Sequence, residues 1–163
     1  MKIVSLFTGA GGLDLGLIQA GHKVVWANDI DHDAVATYQK NIGPHILAGP
    51  IQEIASSAIP SCDAVVGGFP CQGFSLANLL RFEDDERNAL YRQFKRIVKD
   101  KQPMYFLAEN VRGILSLGEG RAIKKIESDF AKCGYRVSKQ LFNAADFGVP
   151  QNRWRVVIVG VRS

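Results

Sequence analysis

Two stretches of this chain carry side chains whose types and spacing could do chemistry, and two more sit where such chemistry would need them. Residues 67–75 read Gly-Gly-Phe-Pro-Cys-Gln-Gly-Phe-Ser. They place Cys71 directly after Pro70, at the end of the apolar run Ala64-Val65-Val66. The run reads as a buried strand, and the glycines and proline mark a turn at its C-terminal end. Open α/β sheets bind ligands at that end. A small buried thiol beside a turn would leave the same Pro-Cys pair. The second stretch, residues 7–16, reads Phe-Thr-Gly-Ala-Gly-Gly-Leu-Asp-Leu-Gly. Gly9 and Gly11 fit G-x-G, but the third glycine of a dinucleotide fingerprint would fall at Asp14. Such glycines let a ligand approach the backbone closely, although a generic tight turn explains them too. Asp29 stands about 20 residues beyond them, the spacing of an acid that accepts ribose hydroxyls. Ile30 could then cover an adenine face. The combination points to a nucleoside cofactor and leaves open nicotinamide dinucleotide or S-adenosylmethionine. Glu109 at a strand end, and Arg153 with Arg155 two residues apart, are the remaining candidates. Taken alone, they would pass for a surface acid and a solubilising pair.

The full string around Cys71 resembles the nucleophile motif of the cytosine-5 DNA methyltransferases, in which Pro-Cys-Gln carries the attacking thiol. Residues 7–16 are similar to that family's F-x-G-x-G-G motif, which wraps the methionine end of S-adenosylmethionine. The resemblance implies cofactor contacts from Phe7, Thr8, Gly9, Gly11, Gly12, Leu13, Asp29, Ile30, Ile51 and Pro70. Where the family usually has Gly-Asp-Ile, with an acid for the adenine amino group, this chain has Gly49-Pro50-Ile51. Proline offers neither a carboxylate nor a backbone donor. Cofactor binding is then weaker, or the amino group bonds elsewhere. Glu109-Asn110-Val111 follows at the family's position and makes Glu109 the group that holds or protonates cytosine nitrogen 3. Residues 147–155 resemble G-V-P-Q-x-R-x-R. They make Arg153 and Arg155, expected on one face of a strand, the guanidinium groups at the base oxygen and near the thiolate.

The implied reaction adds the Cys71 thiolate to carbon 6 of cytosine. Carbon 5 then takes the methyl group, with S-adenosylhomocysteine as the second product. A free thiol of pKa about 8.5 is only a few per cent ionised at pH 7, so Cys71 needs positive surroundings. The target atom is inaccessible inside a duplex, so the base must be flipped out. The resemblance makes residues 76–88 a loop that closes over it and excludes water. It also implies DNA contacts from Gln72, Ser75, Arg81 and Arg87.

The elements around these residues alternate short apolar runs with helical stretches. Residues 2–7, 23–27, 45–48, 64–67 and 105–108 read as strands. Residues 13–20, 33–41, 86–100 and 122–133 read as helices, with Asp31 capping the second. Leu13, Leu17 and Ala20 are expected on one face of the first helix, and Leu90, Phe94, Ile97 and Val98 on the buried side of the third. Residues 135–143 and 155–161 follow as an antiparallel strand pair. The fold class is therefore α/β, a Rossmann-like S-adenosylmethionine-dependent methyltransferase fold whose mostly parallel sheet is closed by one antiparallel strand.

At 163 residues, 47% hydrophobic and 22% charged, the chain reads as one ordinary soluble domain, catalytic over residues 1–163. No apolar run nears the ~18 residues that span a membrane, and the N-terminal run is broken too early for a signal peptide. A cytoplasmic, prokaryotic protein is expected. Cys62, Cys71 and Cys133 form neither a C-x-x-C pair nor metal spacing with the three histidines, so neither disulfide nor metal is expected. The net charge is +4, and residues 121–163 hold nine Lys/Arg against three Asp/Glu. That surface suits a phosphate backbone, or equally a solvated basic face. The family's target-recognition region and last two motifs are absent from the sequence. This leaves a subunit of a split enzyme, a truncated chain or an inactive relic. A tRNA cytosine methyltransferase, a binding module that keeps the fold and a nicotinamide oxidoreductase are the alternatives.

Overall fold

The computed structural model describes residues 1–70 and 89–163. Cys71, Gln72, Ser75, Arg81, Arg87 and the expected closing loop lie outside the described residues. The order is β1 (Lys2–Leu6), α1 (Gly12–Gln19), β2 (Lys23–Asp29), α2 (His32–Asn41), β3 (Ile46–Ala48), β4 (Ala64–Gly67), α3 (Ala89–Lys101), β5 (Tyr105–Val111), α4 (Arg121–Lys132), β6 (Tyr135–Asn143) and β7 (Trp154–Arg162). Short 3-10 turns join several of them.

The strands form one sheet in the order β3-β2-β1-β4-β5-β7-β6. The pairs from β3 to β5 are parallel. Strand β7 runs antiparallel to both its neighbours. The chain winds outward from β1 to β3, then returns and winds the other way from β4. The crevice between β1 and β4 is thus the switch point where α/β sheets bind ligands. The α/β expectation holds, with one adjustment. The antiparallel strand β7 lies inside the sheet, and β6 forms the edge.

Helices α3 and α4 bury one face of the sheet with an aromatic core. Phe94, Phe106 and Phe130 are fully buried, and the Phe106 and Phe130 rings stack with centroids 4.2 Å apart. Gly160 on β7 lets the Phe106 ring lie flat against the strand, because a Cβ there would overlap the ring. On the other face Val35, Tyr38, Ala27 and Val66 pack with Leu13 and Leu17.

Several local expectations change. Phe7 leaves the first strand with φ of 55°, turning the chain away from the sheet. Ala20 is the exposed C-cap of α1, and the fully buried residue of that helix is Asp14. In α3, Tyr91 takes the buried position and Leu90 is half-buried. Strand β5 continues to Val111, so Glu109 sits within a strand, where its backbone is fixed by pairing. Asp31 caps α2 as expected, accepting from the N–H groups of Asp33 and Ala34.

Candidate active site

The turn after β1 is built around a buried carboxylate. Asp14 accepts from Ser5 Oγ at 2.5 Å, Thr8 Oγ1 at 2.9 Å and the Tyr38 hydroxyl at 2.8 Å. The Tyr38 oxygen also lies 3.1 Å from His45 Nε2. Burial first, and then the nearby Asp14 charge, push the Tyr38 hydroxyl above the ordinary tyrosine range. These bonds tie the Phe7–Gly12 turn to α1, α2 and the approach to β3. Gly11 has φ of 92°, and a Cβ there would run into Ile42 and Tyr38. The glycine is required by both backbone conformation and space.

A cavity of about 430 Å³ lies over the ends of β2 and β3 and is lined by Phe7, Asp29, Ile30, Pro50, Ile51 and Gln52 among others. Asp29 Oδ2 accepts from Gly9 N at 2.7 Å and Oδ1 from Asp31 N at 2.9 Å. A carboxylate offers about four lone-pair sites, so acceptor capacity is left for ribose hydroxyls. Ile30 is 65% exposed at the rim, and Ile51 is buried beneath. Asn28 is buried and donates to the carbonyls of Leu47 and Gly49 at 3.0 and 2.9 Å. Arg96 reaches over from α3. It donates through Nη2 to the carbonyls of Ile51 and Ile54, both at 3.0 Å, and through Nη1 to Ser56 Oγ at 2.8 Å.

A second cavity, about 470 Å³, lies at the switch point and is lined by Ser5, Phe7, Thr8, Gly12, Leu13, Glu109 and Arg153 among others. A third, about 400 Å³, is lined by Gly68, Phe69, Pro70, Glu109, Asn110, Val111, Arg153 and Arg155. Gly68 lines all three. A Cβ at Gly68 would stand 3.1 Å from Glu109 Oε2, so the small residue keeps the junction open. The first two cavities together fit an adenosine carrying a polar amino-acid tail. One offers a carboxylate and apolar walls, the other a glycine turn.

Glu109 and Arg155 meet in the third cavity. Val111 pairs with Arg155 and Glu109 with Val157, so the two side chains are diagonal neighbours on one sheet face. Arg155 Nε lies 2.8 Å from Glu109 Oε1, and Nη1 donates to the Trp154 carbonyl at 2.8 Å. Arg153 stands one residue before the start of β7. It is exposed, and its backbone N–H donates to Asn143 Oδ1 at 3.0 Å. Both arginines nevertheless line the same cavity. Asn110 is 3% exposed and donates to the Phe69 carbonyl at 2.8 Å. It thereby ties β5 to the segment that leads into Pro70. The motif Glu-Asn-Val contained Asn110, but nothing in its residue type specified that partner. Asp14, Asn28 and Arg96 were also missed, since each acts through a contact distant in sequence. The two described thiols, Cys62 and Cys133, line none of these cavities. Burial pushes the Cys62 thiol up to about 11. Among the described residues no cluster of His, Cys, Asp and Glu could hold a metal, and no helix is long and apolar enough to cross a membrane.

The family described as C-5 cytosine-specific DNA methylase matches residues 1–163. The chain belongs to this family. It is 50% identical to the Type II methyltransferase M.NgoFVII of Neisseria gonorrhoeae, over 99% of this chain and 44% of that protein. It is 44% identical to the Type II methyltransferase M.MthTI of Methanothermobacter thermautotrophicus, over 99% of this chain and 49% of that protein. The chain thus spans somewhat under half the length of the curated relatives it matches. Among solved structures, a prophage-encoded E. coli protein described as a DNA modification methyltransferase superposes with a TM-score of 0.83 at 32% identity, covering 99% of this chain and 47% of its own. The S. pombe Dnmt2 methyltransferase superposes with a TM-score of 0.82 at 21% identity, covering 99% of this chain and 51% of its own. That second likeness is one of fold. Members of this family use S-adenosylmethionine in general, and the paired cavities suit it.

Proposed function

We propose that this chain supplies the cofactor-binding and catalytic half of a DNA cytosine-5 methyltransferase, with residues 1–163 forming one catalytic domain. The observation that carries the reading is Gly68, which lines the cavity beside Asp29, the cavity at the glycine turn and the cavity holding the Glu109–Arg155 pair. Pro70, immediately before Cys71, lines two of those cavities.

In this reading S-adenosylmethionine, when bound, provides an electrophilic methyl group and leaves as S-adenosylhomocysteine. Asp29 holds the ribose, and Ile30 and Ile51 enclose the base. Phe7, Thr8, Gly9, Gly11, Gly12 and Leu13 face the amino-acid tail, and Pro70 closes the edge beside Cys71. The Cys71 sulfur, with its proton lost, adds to carbon 6 of a flipped cytosine. Glu109 holds the nitrogen 3 edge, so the electron pair displaced through the ring gathers toward carbon 5. After carbon 5 is methylated it gives its proton to solvent water, the C–H electron pair forms the carbon 5–carbon 6 double bond, and the Cys71 thiolate leaves. Arg155 orients Glu109, and Arg153 supplies positive charge at the mouth. Gln72, Ser75, Arg81 and Arg87 are assigned to DNA contacts. Base-edge readout of a target sequence is assigned to groups outside these residues, in the same polypeptide or in a second subunit. Bacterial and archaeal relatives support a cytoplasmic setting.

Covalent trapping tests this. The chain, alone and with candidate partner subunits, is incubated with S-adenosylmethionine and a duplex containing 5-fluorocytosine, with a tRNA substrate in parallel. A denaturation-stable adduct on DNA that disappears in Cys71→Ser is the expected result. Adduct formation on tRNA alone, or an adduct that survives Cys71→Ser, would overturn it.

A further inference from the structure

The cavity over β2 and β3 distributes its polar side chains unevenly. Asn28 spends its amide nitrogen on the Leu47 and Gly49 carbonyls. Asp29 is acceptor-only and receives backbone N–H groups from the glycine turn and from Asp31. Pro50, on the same wall, has no hydrogen-bonding side chain. Gln52 is the remaining polar side chain there. It is exposed, and its carboxamide makes no hydrogen bond among the described residues.

The backbone beneath Gln52 is held from two sides. Ile51 is 2% exposed and belongs to the main core. Arg96 grips the Ile51 and Ile54 carbonyls that bracket the residue. A side chain with an unspent donor and acceptor thus stands on a fixed turn at the wall of a nucleoside-sized cavity.

We infer that Gln52 reads the base of the cofactor. Its carbonyl oxygen accepts from the exocyclic amino group of adenine, and its amide nitrogen donates to the adjacent ring nitrogen. A carboxamide matches that donor–acceptor pair, as it does wherever glutamine pairs with adenine. Arg96 is the positioning residue that keeps the turn in place. The inference deepens the S-adenosylmethionine reading and rests on it.

Calorimetric titration with S-adenosylhomocysteine, and with its analogue lacking the 6-amino group, separates the two. In the unaltered chain, loss of the amino group weakens binding about tenfold, the scale of one neutral hydrogen bond. In Gln52→Ala, which removes both bonds, S-adenosylhomocysteine binds about ten- to a hundredfold more weakly, and removing the amino group costs nothing further. Gln52→Glu, which keeps an acceptor, retains the amino-group discrimination. An equal amino-group penalty in the unaltered chain and Gln52→Ala would overturn the role of Gln52 and leave the cofactor reading intact. Failure of the folded, unaltered chain to bind S-adenosylhomocysteine at all would overturn both.

Discussion

Arg155 Nε sits 2.8 Å from Glu109 Oε1, and the two residues come from strands that run in opposite directions. The contact is set by register: a shift of one residue in the β5–β7 pairing would send the two side chains to opposite faces. Both side chains remain partly exposed, at 26% and 32%. As an isolated surface pair the contact would stabilise the fold little. In the proposed reaction its value is orientation of a carboxylate at the mouth of a cavity.

Arg155→Ala should therefore spare the fold and impair the chemistry. The expected loss in single-turnover methyl transfer is about 100-fold, the scale of removing one preorganised donor, with an unchanged circular dichroism spectrum. Arg155→Lys should recover only part of it, because an ammonium lacks the planar fork. An unaltered rate in Arg155→Ala would exclude the orienting role.

Asp14 gathers three hydroxyl donors in a fully buried site. Asp14→Ala leaves those hydroxyls without their acceptor, at about 1–3 kcal/mol for a buried group. Urea unfolding should show a loss of that order or more. Tyr38→Phe should cost less, since it removes one bond and leaves the Ser5 and Thr8 bonds to Asp14. S-adenosylhomocysteine affinity should fall in Asp14→Ala, because Thr8 lies in the glycine turn, and change little in Tyr38→Phe, which keeps the Thr8 bond.

Asp129 joins α3 to α4. It lies 3.3 Å from Lys95 Nζ and 2.6 Å from Lys125 Nζ, and accepts from the buried Tyr91 hydroxyl at 2.9 Å. Burial alone would raise its pKa, but the hydrogen bonds from Lys125 and Tyr91 and the lysine charges outweigh it and hold the carboxyl below its ordinary value. The unfolded chain takes up this proton first, so the stabilisation is complete above about pH 4 and is lost as pH falls further. Urea midpoints measured from pH 7 to pH 3 should drop at the acid end. The drop should be shallower in Asp129→Asn, which starts about 2 kcal/mol less stable. Parallel pH profiles would exclude this carboxylate as the source.

Arg96 bridges α3 to the segment between β3 and β4 with bonds to two carbonyls and one hydroxyl. Arg96→Ala strands those part-buried acceptors and should lower stability by about 2 kcal/mol. It should also weaken S-adenosylhomocysteine while leaving binding of the amino-acid tail's own analogue, methionine, unchanged. Arg96→Lys should restore some stability, since one ammonium can reach a carbonyl but cannot span both.

Much of this protein was legible in its residues. Alternating apolar runs and helical periods gave the α/β sheet, because burial of one face imposes a period that any reader can count. The glycine turn, Asp29 and the Pro-Cys and Glu-Asn-Val strings were recognisable because each is local: a turn, a strand end and a spacing along one chain. Asp31 capped its helix for the same reason, bonding N–H groups two and three residues away.

What sequence could not decide was every partnership across the fold. Asp14 looked like a substitute for a missing glycine, yet it is the buried acceptor for a residue 24 positions away. Arg96 carried no signal in the sequence, yet it grips carbonyls more than 40 positions before it. Strand β7 slotted between β5 and β6, which brought Arg155 to Glu109 from 46 residues on. These contacts depend on sheet order and register, which arise from packing the whole chain at once. Local residue types carry no record of them.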